Sequence, residues 1–114
     1  MATRSSITIK NVDGTRRSIY CHWNGYPDGV GRILKESYNT TEKVNALINL
    51  GDISSLAPSI ECPDGHSFDS PIKGYTVAYH RDRGEGLIIR DIPSKQEYNY
   101  VFNVATQKWS YRRG

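Results

Sequence analysis

The stretch Arg16-Arg17-Ser18-Ile19-Tyr20-Cys21-His22-Trp23-Asn24-Gly25-Tyr26-Pro27-Asp28-Gly29 decides the fold, because it changes character twice within fourteen residues. Its first half is extended. Ile19, Cys21 and Trp23 fall on one face of a strand and Tyr20 and His22 on the other, since successive strand side chains alternate. Its second half, Asn24 to Gly29, is dense in turn formers and ends the strand. Immediately before it, Ile7-Thr8-Ile9-Lys10 alternates apolar and polar residues, and Asn11-Val12-Asp13-Gly14 carries turn chemistry, so the two runs are expected to form a β-hairpin. The inner face, Trp23 included, is expected to pack under helices.

Downstream, Val30, Ile33, Leu34 and Tyr38 recur at helical spacing, which predicts a helix from about Asp28 with that residue as its N-cap. Asn39 with Glu42 resembles a capping box for a second helix, whose apolar stripe is Val44, Leu47 and Ile48 and whose terminator is Gly51. Asp52 to Leu56 reads as one further short turn that tucks Ile53 and Leu56 inward. Residues 57–74 hold prolines, glycines, Ser and Asp without periodicity and read as an irregular loop. Tyr75 to Tyr79 alternates as a strand, and His80 to Gly86 breaks it with charge and glycine. Leu87 to Ile92 is a strand or a short buried piece. Tyr98 to Val104 is a strong strand, Ala105-Thr106-Gln107 turns the chain, and Lys108 to Tyr111 closes an edge. The basic residues of that last strand would guard the edge against pairing. The expectation is a single α+β domain of order ββααβ(β)ββ. An antiparallel or mixed sheet of about five strands would carry two helices on one face.

Composition narrows the function classes. With 114 residues there is room for one domain, and a 37% hydrophobic share implies a small core, or one completed by another copy of the chain. The net charge of +3 is too weak for the basic stripe of a DNA- or RNA-polymer binder. No run approaches the roughly 20 apolar residues of a membrane span, and the N-terminus lacks a signal-peptide core. A cytoplasmic setting is expected, so the acceptor pattern Asn39-Thr40-Thr41 is discounted and Cys21 and Cys62 are expected as free thiols. No cofactor is expected.

Catalytic signatures are weak, and no enzymatic activity is expected. His80-Arg81-Asp82 spells a kinase triplet, but Leu87 stands where its Asn belongs, and the remaining kinase elements are missing. Gly29-Val30-Gly31 opens a helix, yet Leu34 replaces the third glycine of a dinucleotide fingerprint and no βαβ unit surrounds it. Cys21 and His22 are strand neighbours pointing to opposite faces, so they cannot pair. Cys62 and His66 supply at most half of a zinc site, lacking paired Cys-x-x-Cys spacing, and no metal is expected.

Binding signatures are better. Trp23 and Tyr26 flank Asn24-Gly25 at a strand-to-helix junction, offering aromatic faces, an amide and the amides of a helix start. His80, Arg81 and Arg83 lie where a strand runs into a glycine-containing loop, where guanidinium groups can fork onto phosphate oxygens. The competing reading places Trp23 in the core and makes Arg81-Asp82-Arg83 a surface ion-pair cluster of small energetic weight.

The segments Ile19 to Gly31, Leu47 to Leu56, Tyr79 to Glu85 and Tyr98 to Phe102 together resemble the motifs of a family of small phage and prophage proteins. The likeness covers most of the chain. Asn24 stands where many relatives are expected to carry Asp. The chain is further similar to the viral sponges that sequester cyclic-oligonucleotide immune signals. That resemblance implies a homo-oligomer that binds a small nucleotide signal without cleaving it. Trp23 and Tyr26 would then contact bases, Arg81 and Arg83 would hold phosphates, and His22, Asn24 and His80 would orient the ligand. The alternative is an accessory protein that inhibits a host enzyme through a Tyr-rich sheet face.

Overall fold

The computed structural model describes residues 2–114. Its frame is the expected hairpin, β1 (Ser5–Lys10) and β2 (Arg16–Cys21), antiparallel with Ser5 opposite Cys21 and Lys10 opposite Arg16. The turn closes through Asn11, whose carbonyl accepts from Gly14 N at 3.0 Å, with Gly14 at the positive φ of 89° that glycine tolerates.

The chain then passes a π-helical turn, Pro27–Gly31, into α1 (Arg32–Ser37) and α2 (Thr41–Ile48). Asp28 is not the N-cap. It lies inside the turn, and Pro27 stands at the first position, where its missing N–H goes unneeded. The N-cap of α2 is Thr40, one residue after the expected Asn39, its hydroxyl accepting from Lys43 N. Gly51 does take the left-handed conformation, at φ 75°.

Asp52 to Leu56 corrects a second expectation. Its centre is a strand, β3 (Ile53–Ser55), parallel to β2, although Ile53 and Leu56 are buried as foreseen. The following strand is only β4 (Val77–Ala78), and the charged segment after it folds into a single helical turn, α3 (Tyr79–Arg83). Leu87 to Ile92 forms neither a strand nor a buried piece. It makes one bridge, Arg90 to Ser18, and leaves Leu87, Ile88 and Ile92 exposed. β5 (Tyr98–Asn103) and β6 (Lys108–Arg113) form the closing hairpin. The result is a mixed six-stranded sheet of order β4-β3-β2-β1-β5-β6, with β1 parallel to β5, hence an α+β fold.

Alternation explains the core. Ile7 and Ile9 of β1, Ile19 and Cys21 of β2, and Tyr100 and Phe102 of β5 share one face. They form a single buried cluster with Val30, Leu34, Val44, Leu47 and Ile48 from the helical segments. The opposite face carries small polar residues, and Ser6, Thr8 and Ser18 are nonetheless buried. Residues 91–97 account for this. They leave Arg90 on the outer edge of β2 and re-enter at Tyr98 beyond β1, so they must cross both strands. Gln96 pins the crossing by donating its amide to Asn99 Oδ1, which also accepts from the Ser6 hydroxyl. Small side chains leave room for the strap, and their hydroxyls pair beneath it, Thr8 donating to Ser18 at 2.9 Å.

Candidate functional site

The Trp23–Tyr26 loop begins where β2 stops. Its alternation ends at Cys21, His22 N and Trp23 N bond to the carbonyls of Ile53 and Ser54, and Asn24 turns the chain at φ 57°. Trp23 therefore does not lie under the helices. It is 44% exposed and Tyr26 is 42% exposed.

Both rings are carried on a pinned backbone. Gly25 N donates to Thr3 O at 2.8 Å, and Gly25 O accepts from the buried Tyr100 hydroxyl at 2.8 Å. A Cβ on Gly25 would sit 2.8 Å from Thr3 O, so only glycine allows this approach. Val30 N donates back to Asn24 O, while Gly29 N and Gly31 N donate to Tyr26 O. These bonds take up the amides of Gly29, Val30 and Gly31, which the sequence offered to a ligand, and those three leave the candidate set.

His22 lies edge-on to Trp23, with ring centroids 4.7 Å apart, and its Nδ1 is 2.7 Å from the Tyr20 hydroxyl. Arg4 directly precedes Ser5, the residue that faces Cys21 at the end of the β1/β2 register. Arg4 is exposed, and its charge acts on Tyr20, whose pKa burial nonetheless raises above the ordinary value. Sequence reasoning missed Arg4, although its place directly before the hairpin could have found it.

The structure brings Tyr79 and Glu85 of the second segment beside Tyr20, but none of Trp23, Tyr26, His80, Arg81 and Arg83 lines the space between them. Tyr20, Asp52, Tyr79, Glu85, Gly86 and Ile88 line a depression of about 210 Å³, so Tyr20 joins the His22 end to the Tyr79–Glu85 segment. Within that segment the charged residues separate. His80 is exposed, and its Nδ1–H donates to Glu85 O at 2.7 Å. Arg83 is about half exposed, with its guanidinium 4.7 Å above the Phe68 ring and its Nε 3.5 Å from Glu85.

Arg81 is different. Its guanidinium donates to Thr76 O at 2.8 Å, to Ile60 O, and to both carboxylate oxygens of Asp82. Those bonds tie residues 57–83 together, which corrects the expectation that Arg81 holds phosphate. Charge in a glycine-containing segment cannot reveal that the guanidinium is taken up by its own neighbour Asp82 and by the carbonyls of Thr76 and Ile60.

Asp82 is the centre of this clamp. Besides Arg81 it accepts from Ala78 N at 2.8 Å. Its burial works to raise the carboxyl pKa, but the Arg81 guanidinium and the Ala78 amide outweigh that and hold it below the usual value. His66 is buried against it, Nε2 lying 3.4 Å from Asp82 Oδ2. Nδ1 of His66 accepts from Ile72 N, which fixes the neutral Nε2–H tautomer. The Cys62 thiol lies 3.7 Å from the other Asp82 oxygen. Among the described residues, no group of three or more His, Cys, Asp or Glu side chains is placed to hold a metal ion.

Cys21 and Cys62 are free, the first buried and the second exposed. Burial pushes the Cys21 thiol up to about 12, so it is no source of thiolate near neutral pH. Among the described residues no helix is long and apolar enough to cross a membrane. No protein-family model matches the chain, and neither the curated proteins nor the solved structures give a match.

Proposed function

We propose that this protein captures a small anionic nucleotide, of the cyclic dinucleotide kind, and withholds it unaltered from its receptor. In this reading it is a phage-encoded anti-defence protein acting in the cytoplasm of the infected bacterial cell. The observation that carries the reading is the rigid display of two half-exposed rings, Trp23 and Tyr26, on a loop pinned by Gly25. Preorganised aromatic faces stack on bases without sacrificing loop entropy, and they need no general base to do so. Arg83 and Arg4 supply the guanidinium groups for phosphate, Arg4 replacing Arg81. His22, Asn24 and His80 supply orienting hydrogen bonds.

Self-association completes the proposal. Leu87, Ile88 and Ile92 are exposed at 50%, 48% and 80%, an apolar run that a second copy would cover. Inhibition of a host enzyme through a Tyr-rich sheet face is disfavoured, because Tyr98 and Tyr100 of β5 face the core cluster.

Isothermal titration calorimetry against a panel of cyclic dinucleotides and ADP-ribose derivatives tests the proposal. Saturable binding of at least one member is expected, weakened about tenfold or more by Trp23→Ala. Absence of binding across the panel overturns it, and a stoichiometric host protein retained instead would favour the inhibitor reading.

A further inference from the structure

The cleft between the Pro27–Gly31 turn, Lys35 of α1 and Trp109–Tyr111 of β6 adjoins the Trp23–Tyr26 loop through Pro27, but none of the residues given a role above lines it. We infer that it is a second binding site, for a planar aromatic or heteroaromatic ring carrying an anionic substituent.

The cleft exists because the sheet is wider than its helical cover. The inner face of β5 is sealed, with Tyr100 only 2% exposed, whereas its cross-strand partner Tyr111 on the edge strand is 47% exposed. The two rings lie 5.5 Å apart at 41°, and the row continues through Tyr98 to the Arg113 guanidinium. Internal bonds fix the walls. Tyr100 gives its hydroxyl to Gly25 O, and Trp109 gives its indole N–H to Tyr38 O at 2.8 Å. With its indole N–H committed, the half-buried Trp109 offers an occupant ring surface, as does the exposed Tyr111, while Tyr100 is the sealed base beneath them. Gly31 packs directly against the Tyr100 ring, where a Cβ would come within 3.1 Å, and so closes the base of the cleft.

Size and charge define the occupant. The cavity of about 250 Å³ falls below the range of roughly 300–1,000 Å³ that takes drug-sized ligands, so it fits one ring system. The walls favour offset stacking, whose centroid separations are about 4.5–7 Å. Lys35 is the sole charged lining residue and enters no salt bridge among the described residues. An anionic substituent on the ring gives that ammonium its partner, and Arg113 extends the same positive rim.

The test uses Trp23→Phe, which leaves Trp109 as the chain's single tryptophan and therefore a reporter inside the cleft. Adenosine 5′-monophosphate and benzoate are titrated as ring-plus-anion probes, with adenosine and inorganic phosphate as the separated halves. At least one combined probe should change Trp109 emission saturably and more tightly than either half. Added Tyr111→Ala or Lys35→Ala should each weaken it about tenfold while leaving the thermal melt in place. Both substitutions lie at the surface, so a folded variant is available for each reading. No saturable change with either combined probe overturns the inference. So does a change that survives both substitutions, or an emission that shifts with protein concentration because a second copy fills the cleft.

Discussion

The sheet with its helices and the segment 57–92 are held together by different physics. In the first, Ile7, Ile9, Ile19, Leu34, Val44, Leu47, Ile48 and Phe102 are all fully buried, and packing of apolar faces does the work. In the second, directional polar bonds replace packing. Arg81 and Asp82 gather residues 57–83, the Tyr38 hydroxyl donates to Ala57 O at 2.6 Å, and Arg90 grips Asp52 through two bonds of 2.7 and 2.9 Å. A polar clamp has no periodicity, so charged residues that stabilise a loop look, in sequence, like charged residues awaiting a ligand.

The largest expected effect belongs to the packed region. Phe102→Ala should cost about 3–5 kcal/mol in urea denaturation, as for other buried aromatics. If it costs no more than a surface change, the claim that packing dominates there is broken.

Next comes the clamp. Asp82→Asn should cost about 1–3 kcal/mol by leaving donors of Arg81 without their charged acceptor. The loss should be local, read as faster amide hydrogen exchange at Thr76 and Ala78 while Ile7 and Phe102 stay protected. Equal acceleration at both sets of amides would mean that the two regions unfold as one. The clamp also predicts a pH signature. Because the folded carboxyl of Asp82 is held below its usual value of 3.8, its stabilisation is full above that value and is lost as pH falls through the lower folded one. Acid should therefore loosen residues 57–83 before the sheet, and Asp82→Asn should abolish that early acid phase.

The smallest effect is expected on the α1 surface, where Arg32 and Glu36 form an exposed pair at 3.2 Å. Glu36→Ala should change stability by no more than about 0.5 kcal/mol. A larger loss would show that exposed ion pairs matter here as much as the buried clamp.

The same contrast explains what the sequence revealed. The β1/β2 hairpin, the apolar stripe of α2 and the β5/β6 hairpin were legible because each repeats with the period of its own structure. β3 was missed because three residues carry no period, and α3 because a single turn begun at Tyr79 continues the alternation of β4. Within the candidate site, Tyr26 was legible as a loop aromatic. Trp23 was named beside it, but alternation also assigned it to the core, and only the end of β2 at Cys21 releases it. Arg81 was misjudged for a related reason: its partners are Asp82 and the carbonyls of Thr76 and Ile60, which no periodicity marks.

The central claim is that the chain holds a nucleotide and does not alter it. The most direct measurement loads the protein with the tightest-binding member of the cyclic dinucleotide panel, removes free ligand, releases the bound fraction by heat and weighs it by mass spectrometry. The account predicts recovery of the nucleotide at unchanged mass, in fixed ratio to protein, and markedly less from Trp23→Ala. A hydrolysed or otherwise altered nucleotide, or equal retention by Trp23→Ala, would contradict it.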